Sequence, residues 1–256
     1  MKLASLKDRT RDGSLVVVSR DLTRFVSARP IAATLRAALD DWEHVAPRLA
    51  ALAEQLELGS VPSERFHEND VLSPLPRACH WRFGAAGASR AEAGDAFAAP
   101  REAIAVGGSV SLSVRAAALT DDVAAGASGE AAAGAVLLVT LACDTYKDSD
   151  GGYAGTAFAP VAVTPDELGA DWSAGGFTPR LSVGVDGKPV EVAAASRQDL
   201  AAAITAAASH HALGAGSVIG GTAITELKGI GEGATVRIAG KDAKVHSIFG
   251  AIERTV

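Results

Sequence analysis

The 256 residues, 48% of them apolar and 5% aromatic, suffice for one large domain or for a small domain joined to a larger one. The formal net charge is -6, and Lys and Arg are scattered rather than clustered or interleaved with aromatics, which argues against a nucleic-acid partner. No apolar run reaches the length of a membrane span, and the first residues lack the uninterrupted apolar stretch of a secretory leader.

Residues 1–25 alternate as strands do. Lys2 to Leu6 reads as a first strand, Arg11-Asp12-Gly13 as a turn and Leu15 to Val18 as a second strand. The spacing then turns helical. Thr34 caps a helix with Leu35, Ala38, Leu39 and Trp42 on one face, and Pro47 is expected to start a second with Leu49, Leu52, Ala53 and Leu56 as its stripe. Pro74 and Pro76 hold the next segment extended, and residues 84–99, rich in Ala, Gly and Ser, read as a loop. Ser109 to Val114 alternates polar and apolar, whereas Ala135 to Val139 is a continuous apolar run suited to a central strand. Residues 145–156 read as a polar loop and Ala157 to Val163 as a strand. Thr164-Pro165-Asp166-Glu167 opens a short helix. Leu181 to Val185 and Val190 to Val192 flank an Asp186-Gly187 hairpin turn, Asp199 to Ala208 is a helix, and Leu213 to Thr222 runs from turn to strand. Three last strands are expected around Val236, Val245 and Ile252. The sum is an α+β, β-rich chain with a rolled or barrel-like mixed core.

The two cysteines, Cys79 and Cys143, form no paired metal or redox motif, so reduced thiols in a cytoplasmic protein are expected. Asp121-Asp122 reads as a solvated turn, because neighbours on a strand point to opposite faces. His210-His211 reads as a helix end rather than a metal pair. The Gly-rich stretch from Leu213 to Gly221 lacks the spacing and following helix of a nucleotide loop.

Six stretches, in order, resemble the fumarylacetoacetate-hydrolase family in its bacterial form with an extra N-terminal domain: MKLASLKD with DGSLVVVSRDL, IAATLRAALDDWEHVAPRLAALAEQL, SPLPRACHW, AFAPVAVTPDELG, LGAGSVIGGT and SIFGAIERTV. The resemblance implies a small β-hairpin-plus-helices domain over residues 1–72 and a catalytic-type domain over 73–256, shortened between Trp81 and Ala91. It also implies chemistry on dicarbonyl or 2-oxo acid substrates, with Mg²⁺ or Ca²⁺ held by carboxylates and acting as a Lewis acid, and a tendency to dimerise.

The residues themselves depart from that pattern. Ser111 and Ser113 stand where the resemblance implies Glu-x-Glu, Leu141 where it implies an acid, and Tyr153 where it implies a lysine. A neutral hydroxyl cannot supply the charge a divalent ion needs. No metal or other cofactor is therefore expected, and Mg²⁺ or Ca²⁺ enters only if these ligand positions are misassigned. What remains is a polar group where the pocket should open. Tyr153, Thr222, Cys143 and Asp144 are candidates for catalysis, and Thr222, Gly221, Tyr146 and His80 for substrate contact.

Three readings stay open. The chain binds a small carbonyl or carboxylate compound in a remodelled pocket, open to metal-independent chemistry. It is a non-catalytic subunit that partners an active related chain; the assembly expected is a homodimer or a heterodimer with a related chain. Or it is an ordinary metal-dependent hydrolase of dicarbonyl substrates. Whether it is an enzyme at all is not decided by the sequence.

Overall fold

The opening hairpin forms as its pattern demands: β1 (Lys2–Leu6) and β2 (Ser14–Val18) pair antiparallel from Lys2↔Val18 to Leu6↔Ser14. Gly13 closes it at φ 67, where an added Cβ would lie 2.5 Å from the Leu6 carbonyl oxygen, so this turn admits no other residue without strain. The computed structural model describes residues 1–83, 89–91, 97–192 and 196–256. β3 (Arg24–Ser27), for which the sequence shows no clear alternation, adds to β2, and β4 (Glu64–Arg65) adds to β3.

α1 (Leu35–Leu39) begins where expected, with the Thr34 hydroxyl accepting from the Ala37 amide. α2 (Trp42–Glu57) corrects the sequence reading, because Pro47 lies inside it and not at its start. Its buried residues, Val45, Leu49 and Leu56, follow a helical stripe that begins before the proline, and their burial against β2 and β3 holds the upstream turn in place.

The rest of the chain is mostly strand. β5 (Trp81–Phe83) and β6 (Ser89–Ala91) form a hairpin; the rest of the loop expected over 84–99 falls largely on residues 84–88 and 92–96, outside the described residues. β7 (Val110–Thr120), α3 (Gly129–Gly134), β8 (Val136–Lys147), β9 (Tyr153–Phe158) and β10 (Ala162–Val163) follow. The loop expected over 145–156 shrinks to its middle, because β8 runs on to Lys147 and β9 starts at Tyr153. A short 3-10 segment, Pro165–Asp171, stands where a helix was expected. Then come β11 (Gly176–Phe177), β12 (Arg180–Val185), β13 (Lys188–Val190), β14 (Gln198–Asp199), α4 (Leu200–Ala207), β15 (Val218–Gly220), β16 (Thr225–Ile230), β17 (Thr235–Lys241) and β18 (Ser247–Thr255). The Asp186-Gly187 turn joins β12 to β13 with φ 51 and 73, as its sequence requires. Val245 is no strand: it sits at φ 69, exposed, in the turn between β17 and β18. The polar strand β16 went unread, since Glu226, Lys228 and Gly229 break the apolar alternation.

Among the described residues, a 12-stranded sheet runs β4-β3-β2-β1-β10-β8-β7-β15-β5-β6, with β16 also on β7 and β9 also on β8. The β15–β5 pair is parallel and its neighbours are antiparallel, so the sheet is mixed and the chain is α+β and β-rich, with few helices. The β1–β10 pairing, Lys2↔Val163, makes the N-terminal hairpin continuous with the main sheet. Alternate residues of the long β7–β8 pair serve two cores. Leu112, Val114, Leu141 and Cys143 pack toward the second sheet, β13-β12-β17-β18, with Val183, Ile238, Phe249 and Ile252. Ala117, Leu119, Leu138 and Ala142 pack on the other side with Leu35, Leu49, Trp81 and Phe158. Among the described residues no helix is long and apolar enough to cross a membrane.

Candidate functional site

The second of those faces changes character along β7. Leu119 and Ala117 give way, two residues at a time, to Arg115, Ser113 and Ser111. Register then assembles the rest. Ser113 lies opposite Asp144 and Ser111 opposite Tyr146 on β8; Asp144 lies opposite Thr156 and Tyr146 opposite Tyr153 on β9; Glu226 on β16 lies opposite Ser113. Paired residues share a face, so one patch of four strands carries all of these side chains. A cavity of about 450 Å³ opens over it, lined by Ser111, Ser113, Arg115, Tyr146, Thr222 and Glu226 among others. A larger groove, about 850 Å³, runs between α2 and the start of β8; Trp42, Leu58 and Leu137 give it an apolar wall, and its Met1 amino terminus, Arg20, Asp166 and Glu167 pair with one another at one end. The smaller cavity is the candidate site, because polar side chains converge there.

Arg115 organises it. Its guanidinium donates from Nε to Asp144 Oδ2 (2.6 Å), from Nη1 to the Gly221 carbonyl (2.8 Å) and from Nη2 to Ser113 Oγ (3.2 Å), and it lies 4.8 Å above the Phe83 ring. Gly220 makes room for it: a Cβ there would come within 2.7 Å of Arg115 Cδ and 2.9 Å of the Trp81 ring.

Asp144 is wholly buried and uses both oxygens, the second accepting from the Thr156 hydroxyl at 2.5 Å. Thr156 Oγ1 also meets the Trp81 indole nitrogen (3.2 Å) and the Tyr153 hydroxyl (2.7 Å). Counting protons fixes the direction. Indole only donates and an ionised carboxylate only accepts, so the one Thr156 hydrogen goes to Asp144 and Tyr153 donates to Thr156. Burial pushes the Asp144 carboxyl above its ordinary value, against the opposing pull of Arg115 and Thr156. Burial likewise pushes the Tyr153 hydroxyl up to about 12, which suits a fixed donor rather than a base.

Several candidates from the sequence meet here. Asp144, Tyr146 and Tyr153 share the patch, Thr222 lines the cavity and Gly221 anchors Arg115. Others do not. Cys143 pairs with Val114 and Ala157, so it faces the opposite core, where burial pushes its thiol up to about 12 and removes it as a nucleophile. Leu141 is opposite Ala116 on that same far face, so it cannot mark a ligand position beside Ser111 and Ser113; the acid on their face is Asp144. His80 is exposed ahead of β5 and is not among the residues lining the cavity. Arg115 and Glu226 were missed. The period-two continuation from Ser111 and Ser113 reaches Arg115, a charge inside an apolar strand, and that signal was available.

The donor set does not fit a divalent ion. Among the described residues no three of His, Cys, Asp and Glu converge as a metal site. Ser113 Oγ and both Asp144 oxygens are already taken, Ser111 Oγ donates to Asp148 (2.6 Å), and a guanidinium occupies the middle of the group. A hard cation there would meet a fixed positive charge in place of free carboxylates.

No curated protein matches the sequence. Residues 1–77 match the family described as Fumarylacetoacetase N-terminal domain 2. Among solved structures, maleylpyruvate hydrolase from Sphingobium sp. SYK-6 superposes at TM-score 0.74 and 16% identity, over 100% of this chain and 99% of that one. The same enzyme in complex with manganese(II) ion and pyruvate gives 0.69 at 16% identity, over 100% and 98%. The 5-carboxymethyl-2-hydroxymuconate delta-isomerase from Mycobacterium smegmatis gives 0.58 at 15%, over 100% and 98%. The chain thus carries the fumarylacetoacetase N-terminal domain over residues 1–77 and has, throughout, the fold of the fumarylacetoacetate-hydrolase family.

Proposed function

We propose that the protein binds a small carbonyl or carboxylate compound in the cavity over β7, β8 and β16 without a metal ion, and that the Arg115 guanidinium supplies the positive charge. One observation carries this reading: a buried arginine, held at three atoms, stands in the cavity wall among Ser113, Tyr146 and Thr222. A planar guanidinium is suited to carboxylate oxygens and can polarise a carbonyl through fixed donors. A protein of the same fold is described with pyruvate bound, alongside manganese. Here the guanidinium would hold the anion, so any chemistry is limited to what fixed hydrogen-bond donors and hydroxyls provide.

Neither alternative has an observation of its own. Three converging carboxylates, which a metal-dependent hydrolase needs, are absent among the described residues. The large apolar side chains left exposed there, Leu58, Tyr153 and Val245, lie on separate elements and form no patch for a partner subunit. The reading has the chain working in the cytoplasm as a dimer with itself or with a related chain.

Titration calorimetry with pyruvate as the probe tests it. Binding should persist in EDTA, should not tighten with Mg²⁺ or Mn²⁺, and should weaken at least about tenfold in Arg115→Lys, which keeps the charge but loses the fork. Binding that requires the metal, or that ignores the Arg115→Lys change, overturns the reading.

A further inference from the structure

The charges around the cavity are uneven. The Arg115 cation already has one carboxylate beside it, Asp144 at 2.6 Å, and with its remaining N–H groups it stands on the cavity wall as the site's one source of positive charge among the described residues. Among the described residues the other ionic group on the wall is Glu226, brought to the same face by its register with Ser113. Its carboxylate is about half exposed, and among the described residues its ion-pair partner is Lys228 at 3.7 Å, a looser contact between two solvated side chains. Lys228 does not line the cavity, and among the described residues no second cation does. The rest of the wall consists of hydroxyls (Ser111, Ser113, Tyr146, Thr222) and small or apolar residues such as Leu112 and Ala223.

A ligand that places one carboxylate on Arg115 therefore directs its far end along a wall that offers hydroxyls and one anion. A second carboxylate there would meet Glu226 with nothing to neutralise it. An ammonium or hydroxyl would find an acceptor. We propose that the cavity selects small monocarboxylates whose far end carries a hydrogen-bond donor, an ammonium above all, and that it rejects dicarboxylates, with Glu226 as the discriminating residue. This rests on the reading of Arg115 given above and names the ligand class for that site.

Three four-carbon probes of matched length separate the outcomes: 4-aminobutyrate, butyrate and succinate, titrated calorimetrically in EDTA. The wild-type protein should bind them in that order, with about tenfold between the first and the last, the size expected of one half-solvated charge acting at each end. Glu226→Gln should bring all three within about twofold, and Glu226→Lys should reverse the order. Glu226 is exposed on a polar strand, so both variants are expected to fold. The proposal is overturned if succinate binds the wild type as well as 4-aminobutyrate does, or if Glu226→Gln leaves the order intact. If no probe binds the wild type, or if Arg115→Lys binds all three unchanged, the reading of the site falls and the selectivity falls with it. An order set by Glu226 while Arg115→Lys weakens every probe upholds both.

Discussion

Replacing Arg115 by methionine should be among the more damaging single changes available in this chain. The side chain is buried, and its loss leaves Asp144, which is wholly buried, with the Thr156 hydroxyl as its remaining partner. Breaking a buried ion pair from one side costs about 3–5 kcal/mol, because a charge is left without its counter-charge. Against a total of about 5–15 kcal/mol, that is a large share. Asp144→Asn should cost less, about 2 kcal/mol, because the amide oxygen still accepts and the guanidinium borders a cavity. The double variant should be no worse than Arg115→Met alone, giving a coupling of about 2–3 kcal/mol. The pH dependence follows from the sign of the shift. In Arg115→Met, burial still raises the folded carboxyl pKa while the opposing pull of the guanidinium is gone. The folded state then binds more protons than the unfolded one between the two pKa values, so stability falls as pH rises through that window. The deficit of Arg115→Met relative to wild type should therefore shrink on acidification toward the ordinary carboxyl value of 3.8. Urea denaturation of the four proteins, with m-values compared, measures all of this. Single costs below about 1 kcal/mol, or effects that add within about 0.5 kcal/mol, would refute a buried, coupled pair.

Two further changes probe the surroundings of the pair and the base of the N-terminal hairpin. Thr156→Val removes the partner of Asp144 Oδ1, of the buried Trp81 indole and of the Tyr153 hydroxyl, and should cost about 2–4 kcal/mol with an altered tryptophan emission; a cost under about 1 kcal/mol with unchanged emission would show the hydroxyl to be dispensable. Lys2, buried and donating to the Ser247 and Ile248 carbonyls, has its pKa lowered to about 8 by burial, so between about pH 8 and its ordinary value of 10.5 the unfolded state binds the extra proton and stability rises with pH. The stability of wild type relative to Lys2→Met should accordingly climb over that window, by a total on the order of 3 kcal/mol, and a flat difference in pH-dependent melts would exclude the burial effect.

What could be read in advance was local. Gly13, Asp186-Gly187 and Thr34 announce their turns and cap through side-chain chemistry that acts within a few residues. β7 and β8 show their apolar content directly. Pro47 misled because its rule concerns an isolated helix, whereas the stripe running back to Val45 is anchored by burial against other elements. β16 escaped because a strand bordering a cavity has no need of apolar alternation. In the site, Asp144, Tyr146 and Tyr153 are legible as a polar group from their neighbourhood in the chain, and with them comes Cys143, which shares the segment but not the face; Thr222 enters through the family resemblance.

That last difference separates the two sources of information. The sequence by itself determined that strands would form over residues 109–114 and 135–139, that serines stand where the family resemblance implies acids, and that polar residues gather between Cys143 and Tyr153. It could not determine which of those residues look at one another. Side chains alternate along a strand, so a pairing shifted by one residue sends every side chain to the other face. Only the tertiary structure set Ser113 opposite Asp144, sent Leu141 and Cys143 into the opposite core, and placed Arg115 at the centre of the group, with the charge that the serines could not supply.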